Sequence, residues 1–450
     1  MVEGFLRDLR VFAVHMLLVD RTMTMKDMLG RSGVVSREEA LKVLDGHLVI
    51  PSLPSEDISL SAVLGRVLAR DILSPSDQPG FDRSTMDGYA VRSNDTFGAA
   101  ESRPALLAVT GDIPMGIMPG QAIAKGECMK IATGGALPKG ADAVVMFEQT
   151  QRVDGATIEV VKAVAPEENV SKTGEDMKKG EAVFGSGHVI RPQDMAALAG
   201  MGITRVPVFA KPRVAIVSTG NEIVPADTVP EPGQIRDSNS YQLEGYIKLA
   251  GGIAVKKGIL PDDYHALRAA LEEAAADCHI VLFTGGSSVG TADFTARVVN
   301  DLGPPGVLVH GVSLKPGKPL IIGLVKGKPS GPAVPVFGLP GHQAAVAICF
   351  EQFVRPVLTR FTGEVPDPAL AGVSPYRMVK AKLSRSIASS PGREDHVRVT
   401  LEKREDGLWA RPVFGASGLI STLVKAVGTV VVPVNTIGIE AGEEVEVRLF

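Results

Sequence analysis

Residues 280–290 read IVLFTGGSSVG, an apolar run that ends in a turn of glycine and hydroxyl side chains. This junction predicts a buried strand followed by a loop whose backbone N–H groups approach a ligand closely, because glycine has no Cβ. Asp293 follows the loop, and Lys315 and Lys318 flank a Pro-Gly turn further on. Each feature alone is typical of an ordinary loop with solvated charges. Together they favour a site for a phosphorylated, metal-bridged ligand.

Length and composition restrict the class of protein. A chain of 450 residues predicts more than one domain. The 47 Lys+Arg and 51 Asp+Glu give a net charge of −4, so we expect no nucleic-acid partner. Aromatic residues make up only 5%, too few to predict a platform for stacking bases. The three cysteines lie far apart and predict no disulfide framework, which favours a cytoplasmic protein.

Residues 1–30 are expected to lie outside the main fold. Their apolar run, Val11–Val19, is interrupted by His15 and is followed by no small-residue cleavage site. A membrane span requires about 20 apolar residues. We therefore predict neither a signal peptide nor a membrane span, and expect a short extra helix or an over-long gene start.

The first half of the chain predicts a little helix and many short strands. Ser36 has the pattern of a helix cap followed by acidic residues. Residues 63–72 continue with helical character before Pro75. From about residue 104 to residue 190, runs of four to eight β-forming residues separated by Gly and Pro predict a small β domain. A second helix is predicted over residues 192–199.

After Val206 the pattern changes to alternating strands and helices, which predicts a doubly wound, mostly parallel sheet. In such sheets ligands bind at the carboxyl ends of the strands. We expect the loops after Val217, Phe283, Leu314 and Phe337 to converge on one crevice. A long amphipathic helix is predicted over residues 342–362, and the last 86 residues, 365–450, predict a barrel-like sheet of short strands.

The predicted crevice carries carboxylates and lysines but no candidate Cys–His pair. Glu222 and Asp293 each follow a glycine-containing strand exit and are suited to hold Mg²⁺. Asp262 is a third candidate, although either Asp262 or Asp263 is expected to cap the next helix, and that role would also explain Asp262. Lys315 and Lys318 are predicted to face one oxyanion, with simple solvation as the alternative. The sequence contains no GxxxxGK[ST] motif, which disfavours P-loop chemistry.

Several motifs together resemble one known family. In order along the chain they are SxMDGYAV from Ser84, TGxxLP from Thr133 followed by ADAVV, TGED from Thr173, STGNE from Ser218, DSN from Asp237, TGGSSVG from Thr284, LKPGKP from Leu314 and GLPG from Gly338. This order resembles the MoeA family of molybdopterin molybdotransferases, which is related to the E domain of gephyrin. The resemblance covers residues 34–450.

The resemblance implies a multidomain α/β protein. A MogA-like domain with a doubly wound, mostly parallel sheet is joined by two β-rich domains and a discontinuous, α-containing linker domain. The implied parts are residues 31–60 with 177–205, residues 61–176, the molybdopterin-binding α/β domain 206–364, and the C-terminal barrel-like domain 365–450. The family also implies a homodimer whose crevice faces a β domain of the partner.

The implied reaction is insertion of molybdate into adenylylated molybdopterin, with Mg²⁺ assisting, AMP released and molybdenum cofactor formed. Implied partners include the adenylyltransferase of the same pathway and the molybdoenzymes that accept the cofactor. The catalytic residues implied by the motifs are Asp293, Glu222, Asp87 and Lys315, and the metal ligands are Glu222, Asp262 and Asp293. The implied substrate-binding residues are Thr133, Asp176, Ser218, Thr219, Gly220, Gly285, Gly286, Ser287, Ser288, Lys318, Pro340, Arg393 and Ser417.

Two positions depart from the family pattern. Gly311 replaces a lysine that would supply one more donor to an oxyanion, and His342-Gln343 replaces Asn-Pro after the GLPG turn. His342 is expected to act either as a donor in place of asparagine or as a simple helix cap. The departures keep a second function open, a protein of the same fold that carries or scaffolds the pterin without turnover. A tungstate-specific insertase is a third alternative.

Overall fold

The computed structural model describes residues 33–285, 289–327, 331–366 and 376–450. The predicted extension 1–30 and the loop residues Gly286, Ser287 and Ser288 therefore lie outside the described residues. The chain forms two compact units, one of residues 57–208 and one that combines the segment before residue 57 with residues 209–450. Within the described ranges, no helix is long and apolar enough to cross a bilayer.

The helices are, in order, α1 Arg37–Asp45, α2 Pro192–Gly200, α3 Asn239–Leu249, α4 Tyr264–Asp277, α5 Val289–Asp301, α6 Gln343–Cys349, α7 Arg355–Phe361 and α8 Ile420–Lys425. The strands in the first half of the chain are β1 Ser55–Ser59, β2 Ile72–Leu73, β3 Arg83–Ser84, β4 Gly88–Val91, β5 Ala105–Asp112, β6 Glu127–Ile131, β7 Ala143–Met146, β8 Thr150–Arg152, β9 Thr157–Val160, β10 Val170–Ser171, β11 Ala182–Phe184 and β12 Arg205–Phe209.

The strands in the second half are β13 Arg213–Thr219, β14 Ile223–Val224, β15 Ile235–Arg236, β16 Ile253–Leu260, β17 Ile280–Gly285, β18 Gly306–His310, β19 Leu314–Lys315, β20 Ile321–Lys326, β21 Ala333–Leu339, β22 Met378–Leu383, β23 Ile387–Ala388, β24 Glu394–Arg404, β25 Gly407–Pro412, β26 Gly428–Val432, β27 Gly438–Ile439 and β28 Glu444–Leu449.

The six-stranded sheet of the second unit confirms the prediction of a mostly parallel, doubly wound sheet. Its strand order is β16-β13-β17-β21-β20-β18. The pairs β13–β16, β13–β17 and β17–β21 are parallel, whereas β20 pairs antiparallel with both β21 and β18. The sequence analysis missed β20, because its apolar run follows the lysine loop without a helix between them.

Alternating side chains of the central strands form a core on each face of this sheet. On one face Ile216 and Leu282 pack with residues of α1, α3, α6 and α7. On the other face Val217 and Phe283 pack with residues of α4 and α5. Helix α1 thus packs in the α/β core, whereas the resemblance groups it with residues 177–205. The implied division into four parts stays a prediction.

The C-terminal strands confirm the barrel-like sheet. Their order is β19-β24-β25-β22-β28-β26, and a further pairing of β24 with β26 closes the ring. Leu314–Lys315 belongs to this sheet, because β19 pairs in parallel with Glu394–Asp395 of β24. The prediction that the loop after Leu314 leaves a strand of the α/β sheet was therefore wrong.

The first unit contains a six-stranded sheet in the order β7-β4-β6-β5-β9-β8 and confirms the predicted β domain. The prediction of helical character over residues 63–72 was wrong. Only Leu60–Ala62 forms a 3-10 turn, Gly65 adopts a φ of +70°, and Val67 and Leu68 bridge to other segments. Tertiary pairing overrides local helix propensity here.

The helix predicted over residues 342–362 exists, but its character differs. A π-helical stretch, Phe350–Val354, separates α6 from α7. Residues 344–350 are buried without interruption, so this part is not amphipathic. Helix α5 begins at Val289, directly after the glycine-rich loop. Both helices pack on the α/β sheet as the alternation required.

Replacement of Gly285 by alanine is predicted to destabilise the second unit by about 2–4 kcal/mol. Gly285 adopts a φ of +126°, and an added Cβ would lie 1.9 Å from the Thr219 carbonyl oxygen. Gly245 provides the matched control, because it lies inside α3 with nothing within 4 Å of an added Cβ. Gly245→Ala should stabilise the protein by about 0.5–1 kcal/mol. Urea unfolding curves that show equal stability for both variants would contradict this account of the strand exit.

Candidate active site

The ends of three neighbouring parallel strands form the edge on which the candidate site is built. Thr219 at the end of β13 lies opposite Gly285 at the end of β17. Thr284 in turn lies opposite Leu339, the last residue of β21. Parallel strands that end in register bring the loops that follow them to one place. The predicted convergence of the loops after Val217, Phe283 and Phe337 is thereby confirmed.

A small cavity of about 150 Å³ lies at this edge and is lined by buried hydroxyl and amide groups. The Ser218 hydroxyl donates to Asp237 Oδ2 at 2.8 Å. Asn239 Nδ2 donates to the Thr284 hydroxyl oxygen at 2.9 Å and to the Gly341 carbonyl at 2.8 Å. Asn239 Oδ1 is buried and has no partner among the described residues. An unsatisfied buried acceptor is costly, so this oxygen is suited to a ligand donor.

Two of the three predicted metal ligands lie together beside this cavity. The carboxylate of Glu222 lies over Gly220, so that a Cβ on Gly220 would stand 2.8 Å from Glu222 Oε2. Burial and the nearby charge of Glu222 raise the pKa of Asp262 above its usual 3.8. Asp262 Oδ1 is buried without a partner in the described part of the chain. Two adjacent carboxylates with an unsatisfied oxygen are suited to a cation.

The capping explanation for Asp262 was wrong. Asp263 is the N-cap of α4, and its side chain accepts from the Ala266 N–H at 2.9 Å. Asp293, the third predicted ligand, lies in α5, but its side chain is outside the described part of the structure. Within the described part of the chain, no group of three or more His, Cys, Asp or Glu residues suited to a metal occurs.

A second cavity, of about 490 Å³, is lined by basic side chains and adjoins the first. It brings together the predicted residues Lys315, Lys318, Pro340, Arg393 and Ser417. These residues come from the lysine loop, the GLPG turn and two loops of the barrel.

The buried carboxylate of Asp395 positions two of the basic groups of this cavity. Arg393 Nε donates to Asp395 Oδ1 at 2.8 Å, and Lys315 Nζ lies 3.4 Å from Asp395 Oδ2. Asp395 is only 2% exposed, so its charge is poorly screened by water. The lining nevertheless contains four Lys and Arg residues against this one acidic residue. The cavity is therefore suited to an anion.

Arg398 is a basic residue of this cavity that the sequence analysis missed. It is 9% exposed, and it donates to the Thr422 hydroxyl oxygen at 2.6 Å and to the Gly415 carbonyl at 2.8 Å. Burial lowers its pKa. Its signal in the sequence is an arginine between two valines in strand β24, a position where a charge is unusual.

In the first unit, Asp87 and Thr133 lie together as the family motifs imply. Asp87 Oδ1 accepts from the Thr133 N–H at 2.7 Å and from its hydroxyl at 3.0 Å. These hydrogen bonds lower the pKa of Asp87. Asp176 is exposed, and its backbone N–H donates to the Gln78 carbonyl at 3.0 Å.

Asp82, which the sequence analysis did not single out, forms the same kind of pair. Its Oδ1 accepts from the Thr173 N–H at 2.8 Å, and Lys172 Nζ lies 2.8 Å from its Oδ2. Lys172 and Thr173 together lower the pKa of Asp82 from 3.8 to about 2. The carboxylate thus ties the segment before β3 to the TGED segment.

Comparison with known proteins identifies family relatives along nearly the whole described chain. Residues 35–202 match the family profile described as the MoeA N-terminal region, domains I and II. Residues 215–360 match that of a probable molybdopterin binding domain, and residues 380–450 that of the MoeA C-terminal region, domain IV.

Individual relatives show the same similarity. A Methanocaldococcus jannaschii protein assigned to molybdopterin biosynthesis is 38% identical over 404 residues, which cover 88% of this chain and 92% of that protein. The molybdopterin molybdenumtransferase of a Nostoc species is 33% identical, with coverage of 88% and 90%. The crystal structure of the Pyrococcus horikoshii molybdopterin biosynthesis MoeA protein is 35% identical, with a TM-score of 0.77 and coverage of 93% and 100%.

Asp82→Asn is predicted to lower the melting temperature of the protein at pH 7 by about 1–3 °C. The side chain of Asp82 is 35% exposed, so solvent screening keeps the effect small. Because its pKa in the folded protein is about 2 rather than 3.8, its contribution is complete above pH 3.8 and is lost as the pH falls through about 2. Thermal unfolding between pH 2 and 7 measures this, with exposed Asp176→Asn as control. A difference that persists unchanged to pH 2 would contradict the assignment.

Proposed function

The chain belongs to the MoeA family, and from this premise we propose that it is a molybdopterin molybdotransferase that inserts molybdate into adenylylated molybdopterin and releases AMP. The observation that carries the proposal is the pair of adjoining cavities. One offers hydroxyl, amide and carboxylate groups at the ends of parallel strands, and the other offers basic groups for an oxyanion. The reaction needs a pterin-phosphate site and a metalate site next to each other.

The strand-end cavity is proposed to bind the phosphate and nucleotide parts of the substrate. At the end of β13, Ser218 lies opposite Thr284 and Thr219 lies opposite Gly285 of β17, and Gly220 follows directly. Because Gly285 has no Cβ, its backbone can lie close to the Thr219 carbonyl and leave room for a ligand. A Cβ at this position would overlap the Thr219 carbonyl oxygen. Gly286, Ser287 and Ser288 are proposed to complete this phosphate site.

Mg²⁺ is proposed to be held by Glu222 and Asp262 together with Asp293. The unsatisfied, buried Oδ1 of Asp262 and its raised pKa beside Glu222 fit a bound cation. A bound Mg²⁺ would neutralise charge on the phosphate linkage that is cleaved. The chain's own contribution here is to keep two carboxylates close together at the strand ends.

The basic cavity is proposed to bind molybdate. Lys318, Arg393 and Ser417 can donate to its oxygens, Pro340 forms part of the wall, and Lys315, which lines the same cavity, is proposed as the catalytic lysine. Gly311 supplies no cation, and its φ of +95° beside the lysine loop disfavours any side chain at this position. Buried Arg398 supports the proposal, because it lies outside the quoted family motifs and adds a further positive charge to the cavity.

The homodimer is proposed to complete each site with Asp87, Thr133 and Asp176 from the partner. Exposed apolar side chains near the Asp87–Thr133 pair support an interface there. Met86 is 43% exposed, and Met115, which is 57% exposed, lies against Gly134. Large exposed apolar side chains grouped beside a polar site are typical of surfaces that become covered. The adenylyltransferase and acceptor molybdoenzymes of the same cytoplasmic pathway are the further partners of this proposal.

A non-catalytic carrier of the same fold is the second candidate. The observation that favours it is the loss of a basic group at Gly311, which leaves fewer donors for the metalate. A tungstate-specific insertase would use the same cavity, since the two oxyanions have the same charge and nearly the same size.

We predict metalate-dependent release of AMP when the purified protein is incubated with adenylylated molybdopterin, Mg²⁺ and molybdate. Asp293→Asn should slow this release about 100-fold while the fold is kept, because a charge at the metal site is removed. Asp263→Asn is the control, since asparagine still caps α4. Absence of AMP release by the wild type with either molybdate or tungstate would leave only the carrier function, and release with tungstate alone would identify the tungstate enzyme.

Complementation tests the proposed contribution of the partner subunit. Asp87→Asn and Asp293→Asn should each be nearly inactive as pure homodimers. After unfolding and refolding of an equal mixture, half of the dimers contain both variants and each has one intact site, so about a quarter of wild-type activity should return. An inactive mixture, with mixed dimers demonstrated by differently tagged chains, would refute the composite site.

A further inference from the structure

His342 lies where the two cavities meet. Its ring lines the basic cavity together with Lys318 and Arg393. It also lines the strand-end cavity together with Asn239 and Gly285. No other described residue lines both cavities, so a ligand that extends from one to the other passes this side chain.

The ring of His342 is bonded to the barrel and not to its own helix. Nδ1 lies 2.8 Å from the Ser417 hydroxyl oxygen. A second link joins the same segments, because the Ala344 N–H donates to the Ser417 carbonyl at 3.2 Å. Gly418 packs closely on the ring, since a Cβ there would stand 3.2 Å from His342 Cδ2. The alternative of a helix cap is excluded for the side chain, which makes no capping hydrogen bond to α6.

We propose that His342 is a positioning residue that directs the Ser417 hydroxyl toward the oxyanion in the basic cavity. This inference rests on the proposed function, because it assumes that the basic cavity takes an oxyanion. The geometry leaves two arrangements of protons. Either Ser417 donates its single proton to Nδ1, or Nδ1–H donates to Ser417 Oγ and the hydroxyl proton remains for a ligand.

The charges around the cavity select the second arrangement once an anion is bound. An oxyanion that lies among Lys318, Arg393 and buried Arg398 attracts the hydroxyl proton of Ser417. Oγ then presents its lone pairs to Nδ1–H, and the ring keeps the hydroxyl from rotating away. Ser417 is thereby converted from a freely rotating hydroxyl into a fixed donor.

An asparagine at position 342 should preserve this role, whereas an alanine should not. The amide nitrogen of asparagine can occupy nearly the position of histidine Nδ1 and can also donate to Ser417 Oγ. Rescue by His342→Asn therefore separates a role through Nδ1 from one that needs the whole imidazole ring.

The direct test is equilibrium dialysis of radiolabelled molybdate against the full-length protein without any pterin. His342→Ala should weaken molybdate binding about five- to tenfold, and His342→Asn should restore most of it. Ser417→Ala should weaken binding to a similar extent or more. The double variant His342→Ala/Ser417→Ala should bind no more weakly than Ser417→Ala, because the histidine acts through the serine. Exposed His265→Ala in α4 is the matched control for loss of an imidazole.

Several results would overturn the inference. These are wild-type affinity in His342→Ala, additive losses in the double variant, failure of His342→Asn to restore binding in a folded protein, and the absence of molybdate binding by the wild type. Dialysis also separates this inference from the proposed transferase activity. A wild type that binds molybdate with the predicted variant pattern but releases no AMP would refute turnover and keep the role of His342. In active enzyme, His342→Ala should raise the KM for molybdate by the same factor and leave kcat nearly unchanged.

Discussion

The arrangement of the site depends on two parallel strands that end in register. Thr219 of β13 and Gly285 of β17 face each other at the last pair of the ladder, and only a residue without a Cβ fits beside the Thr219 carbonyl. Because β17 can end this close to β13, the hydroxyl groups of one loop and the backbone of the other share one small cavity. The buried Ser218–Asp237 and Asn239–Thr284 hydrogen bonds fix the surrounding loops in the same place.

The basic cavity depends on a different constraint, the pairing of β19 with β24. The chain leaves the α/β sheet after β18, contributes two residues to the edge of the barrel, and returns to the sheet as β20. The pairing of β19 with β24 places Lys315 next to Asp395. A carboxylate that is 2% exposed then holds Lys315 and Arg393 in one orientation, which few surface ion pairs achieve. The α/β sheet and the barrel thus both determine the shape of the anion site.

The sequence predicted those parts of the fold that depend on local pattern. The Ser36 cap, the alternation of strands and helices after Val206 and the strand exit at Gly285 all follow from residue type and spacing. The failures have tertiary causes. Residues 63–72 favour a helix locally but are used in bridges to distant segments, and the pairing of Leu314 with the barrel has no local signal.

The site residues also divide into those that local sequence motifs predict and those that depend on tertiary structure. The motifs identified Lys315, Lys318, Arg393 and Ser417, which the structure brings to one cavity. Sequence alone could not decide which of two adjacent aspartates caps α4, since both have the right residue type. For Arg398 the sequence offered only its position between two valines, because the burial of that side chain follows from closure of the barrel.

The lysine loop is attached at both ends, and this has a thermodynamic consequence. Before the loop, Val312 bridges to Val35, and the Ser313 N–H donates to the Val35 carbonyl at 2.8 Å. After Lys315, the Leu320 N–H donates to the Gly317 carbonyl, and the buried chain continues into β20. The loop is therefore ordered when the protein folds, and little backbone entropy remains to be lost when an anion arrives. A preorganised backbone of this kind lets a small, strongly hydrated anion be bound by few contacts, because the free energy of those contacts is not consumed in ordering the chain.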